Sequence, residues 1–98
     1  MQMKESHKKI LRGLGHKIKP IVTIGNLGLS ESLMNEYENS INHHELIKIR
    51  FRNHDRSAKN KILDQLCIKT KSQLISKIGN TALMYKENKE SPKIRLLR

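Results

Sequence analysis

The segment Leu46–Arg52 constrains the fold more than any other stretch of this chain. Ile47, Ile49 and Phe51 alternate with Lys48, Arg50 and Arg52, the period of a strand that buries one face only. One-sided burial needs a partner layer, and both flanks supply one. Upstream, Leu29, Leu33, Tyr37 and Ile41 recur at helical spacing, widened by Met34. Ser30 stands before this stripe as an N-cap and Glu31 complements the dipole, which predicts a helix from about Ser30 to His43. Downstream, Asp55 offers a cap for a helix over Arg56 to Thr70. Ala58, Ile62 and Leu66 make its stripe, with Leu63 and Cys67 beside them.

Local chemistry predicts the remaining elements. Ser6 to about Gly13 reads as a short first helix, capped by Ser6, with Ile10, Leu11 and Leu14 on one face and Gly13 and Gly15 ending it. Pro20–Ile24 is a β-branched run opened by proline, which suits a strand start. Gln73–Ile78 and Thr81–Lys86 flank Gly79–Asn80, the signature of a type II′ hairpin. The order α-β-α-β-α-β-β predicts an α+β fold with a four-stranded mixed sheet and helices packed on it. The pattern leaves open the strand order and which sheet face the first helix covers. Residues 1–86 read as a single domain, and the charged residues 87–98, which contain Pro92, as a basic flexible C-terminal tail.

Charge narrows the function classes. Twenty Lys and Arg against nine Asp and Glu leave a net charge of +11, the electrostatic footprint of a polyanion binder. The charge is unevenly spread. Residues 1–28 carry +5, residues 29–47 carry −4 with no Lys or Arg, and residues 48–98 carry +10. A uniform compositional bias would not leave that gap, so nucleic acid or ribosome is the expected partner, and the acidic second helix should face away from it. The longest apolar run, Ala82–Tyr85, has four residues, against the ~20 that a bilayer span needs. The polar stretch Met1–Lys9 does not resemble a secretory signal. The single cysteine, Cys67, allows no internal disulfide and no cysteine-rich zinc module, in keeping with a cytoplasmic location.

Candidate contacts are one loop and the basic faces. Gly25–Asn26–Leu27–Gly28 is a GxxG between the first strand and the second helix. Glycines let backbone approach a phosphate closely, and a helix N-terminus follows at the same point. Neither Asn26 nor Leu27 is basic, so charge would come from neighbours. Lys8, Lys9, Arg12, Lys17 and Lys19 surround the first helix and lead into the loop. Lys48, Arg50 and Arg52 alternate on one strand face at roughly 6.6–7 Å. Tyr37, Phe51 and Tyr85 are the only aromatic residues, and Tyr37 and Phe51 fall on predicted core faces. No string matches the aromatic sheet motif of an RRM, so backbone and shape recognition is expected rather than base stacking. His43, His44 and His54 lack metal-ligand spacing. They leave one rival reading, a small basic ribonuclease using one of them with Arg50 or Arg52.

The string from Leu11 to Val22, which holds Gly13–Leu14–Gly15–His16–Lys17, and the string Ile24–Gly25–Asn26–Leu27–Gly28–Leu29–Ser30 resemble the CRM domain, and within it the stand-alone bacterial YhbY-type proteins. His43–Arg50 and Ile78–Thr81 with Tyr85 fall in family order, so the resemblance spans roughly residues 4–86. It implies a fold similar to the C-terminal domain of translation initiation factor three. It also implies a non-enzymatic, RNA-binding protein that assists ribosome assembly on precursors of the large subunit. RNA contacts would lie at Gly25–Gly28 and the nearby basic surface. No cofactor, metal, membrane or small-molecule substrate is expected, and the chain is expected to act as a monomer.

Overall fold

The computed structural model describes residues 3–90 and Ile94. Its elements are α1 (Glu5–Gly15), β1 (Pro20–Ile24), α2 (Glu31–His44), β2 (Leu46–Phe51), α3 (Arg56–Thr70), β3 (Gln73–Ile78) and β4 (Thr81–Tyr85). The four strands form one mixed sheet in the order β1-β2-β4-β3. β1 and β2 run parallel, while β4 is antiparallel to both β2 and β3.

The two faces of the sheet carry different loads. Val22, Ile24, Ile47, Ile49, Phe51, Ala82 and Met84 point to one side and pack under Tyr37 and Ile41 of α2 and Ile62, Leu63 and Leu66 of α3. The other side holds a smaller cluster of Leu46, Ile75, Leu83 and Tyr85 beneath Leu11 of α1, with Met3, Ile18 and Ile94 at its rim. Thus α1 covers the face opposite α2 and α3. The acidic α2 therefore lies on the far side of the sheet from α1 and its cations.

The caps of α2 and α3 form as expected. The Ser30 hydroxyl accepts from Leu33 N–H at 3.1 Å, and Asp55 Oδ1 accepts from Ala58 N–H at 2.8 Å. Both helices end on residues with positive φ, Glu45 (64°) and Lys71 (60°), where glycine is the common choice. At the hairpin, Gly79 takes φ 58° while Asn80 stays at negative φ, consistent with a type II′ turn.

The first helix departs from expectation. It runs two residues past Gly13, and its N-cap is Lys4, which makes no side-chain cap bond, rather than Ser6. Of the expected face only Leu11 is buried; Ile10 and Leu14 are 39% and 37% exposed. The buried stripe is His7, Leu11 and Gly15. Gly15 lies against Leu83 so closely that a β-carbon there would come within 2.5 Å of Leu83 Cδ2. Tertiary packing at Leu11 and Gly15 thus carries the helix through Gly13, whose interior position costs only about 1 kcal/mol.

Strand β2 stops at Phe51, so Arg52 lies in the following turn rather than on the strand face. Asn53, with φ 61°, turns the chain toward α3. Most of the expected tail lies outside the described residues. Within them, the buried Glu45 carboxylate accepts the backbone N–H of Asn88 at 2.6 Å and of Ile94 at 2.7 Å.

Candidate nucleic-acid interface

Helix α1 is shorter than the sheet face it covers, and this creates the candidate site. Across the sheet, Pro20, Lys48, Leu83 and Ser76 share one row, and Thr23, Arg50, Thr81 and Ile78 share the next. Gly15, the last residue of α1, packs on Leu83 in the first row. The second row is left open: Thr23 and Arg50 are exposed and Ile78 is 67% exposed. Because side chains alternate along a strand, Lys48 and Arg50 necessarily share this open side while Ile47, Ile49 and Phe51 enter the core.

Where α1 ends, a shallow cleft forms between helix and sheet. It is lined by Arg12, Gly15, His16, Lys48, Ser76, Ile78, Thr81 and Leu83, with no acidic side chain. Lys48 is half-buried, and its side chain has no ion pair or hydrogen bond among the described residues. Arg12 reaches Glu5 at 3.8 Å and Lys8 reaches it at 4.0 Å. Both are surface pairs of the kind worth little, since solvent screens them. Lys9, Lys17 and Lys19 are exposed.

Parallel pairing brings the carboxyl ends of β1 and β2 to the same end of the sheet. The GxxG loop and the Arg52–Asn53 turn are consequently neighbours. Arg52 N–H donates to Ile24 C=O at 2.9 Å, and Asn53 Nδ2 to Asn26 Oδ1 at 3.3 Å. The hairpin tip joins them: Phe51 N–H donates to Asn80 C=O at 2.7 Å, and Lys59 Nζ to Gly79 C=O at 3.1 Å. Within the loop, Gly28 N–H closes a turn onto Gly25 C=O at 3.0 Å, and Gly28 adopts φ 64°. Leu27, at the tip, is 89% exposed. A β-carbon at Gly25 or Gly28 would meet nothing within 4 Å. These glycines therefore leave open space outside the loop rather than room for the domain's own packing.

The candidate residues from the sequence fall into three groups. Arg12 and Lys48 line the cleft, with Arg50 on the open row beside it. Gly25, Asn26, Leu27 and Gly28 stand with Arg52 at the end of the sheet. Lys8, Lys9, Lys17 and Lys19 lie on α1 and the link after it. The cleft adds His16, Ser76 and Thr81, which the sequence reading passed over. His16 follows Arg12 by four residues, the spacing of helical neighbours, and that signal was available. Ser76 and Thr81 arrive only through hairpin register.

The histidines of the rival reading are not assembled into one site. His43 and His44 touch edge to face at 4.7 Å at the end of α2, whereas His54 packs on Phe51 beyond the opposite end of β2. Six strand residues at ~3.3 Å each, about 20 Å, separate them. Among the described residues, no cluster of His, Cys, Asp or Glu could hold a metal ion, and no helix is long and apolar enough to cross a membrane. Perturbed titrations lie in the packed layer instead. Burial pushes the Tyr37 phenol up to about 12, opposed by its 2.8 Å hydrogen bond with Ser72 Oγ, and burial also raises the Cys67 thiol. Both shifts follow from core packing and mark no reactive site.

Comparison with known proteins covers nearly the whole chain. The family model described as the CRS1 / YhbY (CRM) domain matches residues 3–86. An RNA-binding protein of Haemophilus influenzae is 38% identical over 91 residues, covering 93% of this chain and 91% of that protein. Probable RNA-binding protein PA4753 of Pseudomonas aeruginosa is 35% identical over 88 residues, 90% of this chain and 85% of its own length. The solution structure of protein SAV1595 from Staphylococcus aureus superposes with a TM-score of 0.82 at 30% identity, over 98% of this chain and 100% of that one.

Proposed function

The chain belongs to the CRS1 / YhbY (CRM) domain family, and from that premise we propose that it binds RNA without catalysing a reaction on it. One observation carries the reading. Cations gather where α1 leaves the sheet uncovered: Arg12 of α1 and Lys48 of β2 line the cleft, Arg50 of β2 stands on the open row beside it, and Lys17 and Lys19 are exposed on the link that leaves α1. The GxxG loop stands at the end of that face, its backbone unobstructed. Lysine and arginine would neutralise phosphates, and the loop backbone would approach the chain closely. The names of the Haemophilus and Pseudomonas relatives support an RNA ligand.

The finer target in this reading is ribosomal RNA in precursors of the large subunit, where the protein assists assembly. Family resemblance supports that target. Sucrose-gradient fractionation of a lysate tests it: the protein should sediment with large-subunit precursors at low salt and leave them at high salt. Equal abundance on mature subunits would instead make it a structural component. For the loop, Gly28→Val forces a branched side chain into positive φ, at about 1–2 kcal/mol, without touching the core. RNA affinity should fall while the thermal transition remains cooperative. Unaltered binding by the folded variant would remove the loop from the interface.

A further inference from the structure

We propose that the cleft between the last turn of α1 and the sheet is a phosphodiester seat for single-stranded RNA, with Lys48 as its anchor. The inference rests on the RNA-binding reading and specifies where and how one phosphate is held.

Lys48 is the first argument. Its side chain lines the cleft and its ammonium group has no charged partner among the described residues, so it is available to an anion. The second argument is the donor set around it. Arg12 and His16 form the α1 wall of the cleft, one helical turn apart. The Ser76 hydroxyl makes no hydrogen bond among the described residues, so it can donate to an anion. Thr81 is different: its hydroxyl already donates to Ile78 C=O at 2.9 Å, which braces the wall rather than offering a donor. No carboxylate lines the cleft, and the one that meets Arg12, Glu5 at 3.8 Å, is not part of the lining.

Shape selects a single strand. The cleft is floored by sheet and closed on one side by helix, so one backbone enters it, while a rigid duplex would meet α1. Arg50, on the open row, is two residues from Lys48 along β2, or ~6.6 Å. The level of the GxxG loop is about 10 Å from Lys48 by the same spacing. One extended strand can therefore rest a phosphate in the cleft and place a nearby nucleotide at the loop.

The test uses the full chain and a fluorescein-labelled uridine octamer, read by anisotropy across a salt series, with the same RNA annealed to a complement as control. Lys48→Met keeps the stem and removes the charge. It should weaken single-strand binding about 10-fold and reduce the slope of log K against log salt by about 0.7, the loss of one phosphate contact. Arg12→Gln, on a surface position that does not enter the core, should act in the same direction. Titration with inorganic phosphate should shift the backbone amide signals of Lys48 and Ser76. Suppose Lys48→Met and Arg12→Gln bind the octamer with wild-type affinity and slope, while Gly28→Val binds weakly. The seat is then wrong and the RNA reading stands on the loop. Tighter binding of the duplex overturns the single-strand assignment. A wild-type chain that binds neither RNA overturns the reading and the seat together.

Discussion

Glycines 13 and 15 stand two residues apart on α1, and alanine should affect stability in opposite directions at the two sites. At Gly13 an added β-carbon meets nothing within 4 Å and points to solvent. The substitution removes backbone freedom from the unfolded chain and improves helix propensity, a gain of about 0.5–1 kcal/mol. At Gly15 the same carbon would come within 2.5 and 2.9 Å of the two Leu83 methyls. A flexible side chain could swing away, but Leu83 is 4% exposed and enclosed by Leu11, Leu46, Ile75 and Tyr85. Relief therefore requires α1 to lift or the small cluster to distort, which costs about 1–3 kcal/mol. The propensity gain at a terminal helical residue offsets only part of this. Gly15→Ala should lose about 1.5 kcal/mol net. In a domain of this size, where 1 kcal/mol moves the transition by about 4–8 °C, the midpoint should fall by roughly 6–12 °C. For Gly13→Ala it should rise by roughly 2–8 °C on the same scale. Urea unfolding with unchanged m-values would show that stability has changed while the surface exposed on unfolding has not. A stabilising or neutral Gly15→Ala would refute the packing of α1 on Leu83, and with it the wall of the cleft.

Three further outcomes follow from polar groups in and beside the packed layer. Glu45→Gln replaces one of the carboxylate oxygens that receive the Asn88 and Ile94 N–H groups with a donor; a loss of about 2–3 kcal/mol in urea unfolding is expected, and an unchanged midpoint would mean that this clip contributes nothing. Tyr37, protonated in both states below pH 10, ionises only in the unfolded chain between pH 10 and about 12. Stability should therefore fall as pH rises through that window, by roughly 3 kcal/mol in all, and Tyr37→Phe should lack this component; parallel pH profiles of the two proteins would refute it. Cys67, its thiol raised by burial, should react with a thiol reagent at neutral pH more slowly than free cysteine does, and a rate equal to that of the unfolded chain would contradict its place beside the core.

Legibility in the sequence tracked the range of the interaction. The strand phase of Leu46–Phe51, the stripe through Tyr37 and Ile41, and the Ser30 and Asp55 caps depend on neighbours within one or two turns, and all stand where the periodicity predicts. The α1 boundaries do not. Ser6 has the chemistry of a cap and Gly13 that of a stop, yet Leu11 and Gly15 hold the helix against residues from Leu46 to Tyr85, far away in the chain. The cleft was hidden for the same reason. Its Arg12 and Lys48 could be listed as cations, but their meeting with Ser76 depends on which face α1 covers and on hairpin register. The separation of His54 from His43 and His44 was equally a matter of topology.

Strand β2 ties this interface to folding. It is an inner strand, paired with β1 on one side and β4 on the other. Its alternation gives Ile47, Ile49 and Phe51 to the larger core and Lys48 and Arg50 to the open face. A slip of one residue would exchange the two sets, burying two cations under α2 and α3. The free-energy cost of burying unpaired charge makes that register inaccessible. The same hydrophobic gain that selects the fold thus presents the cations, and no separate ordering step is needed to align them. What α1 adds is an edge. Because it ends on Leu83, one row short of Arg50 and Thr81, the sheet beyond it stays accessible. A helix extended by one further turn would cover the row between the cleft and the loop. Moving the end of α1 by one turn, with the core left intact, should therefore change RNA affinity far more than stability, and equal losses in both would show that the open row has no role of its own.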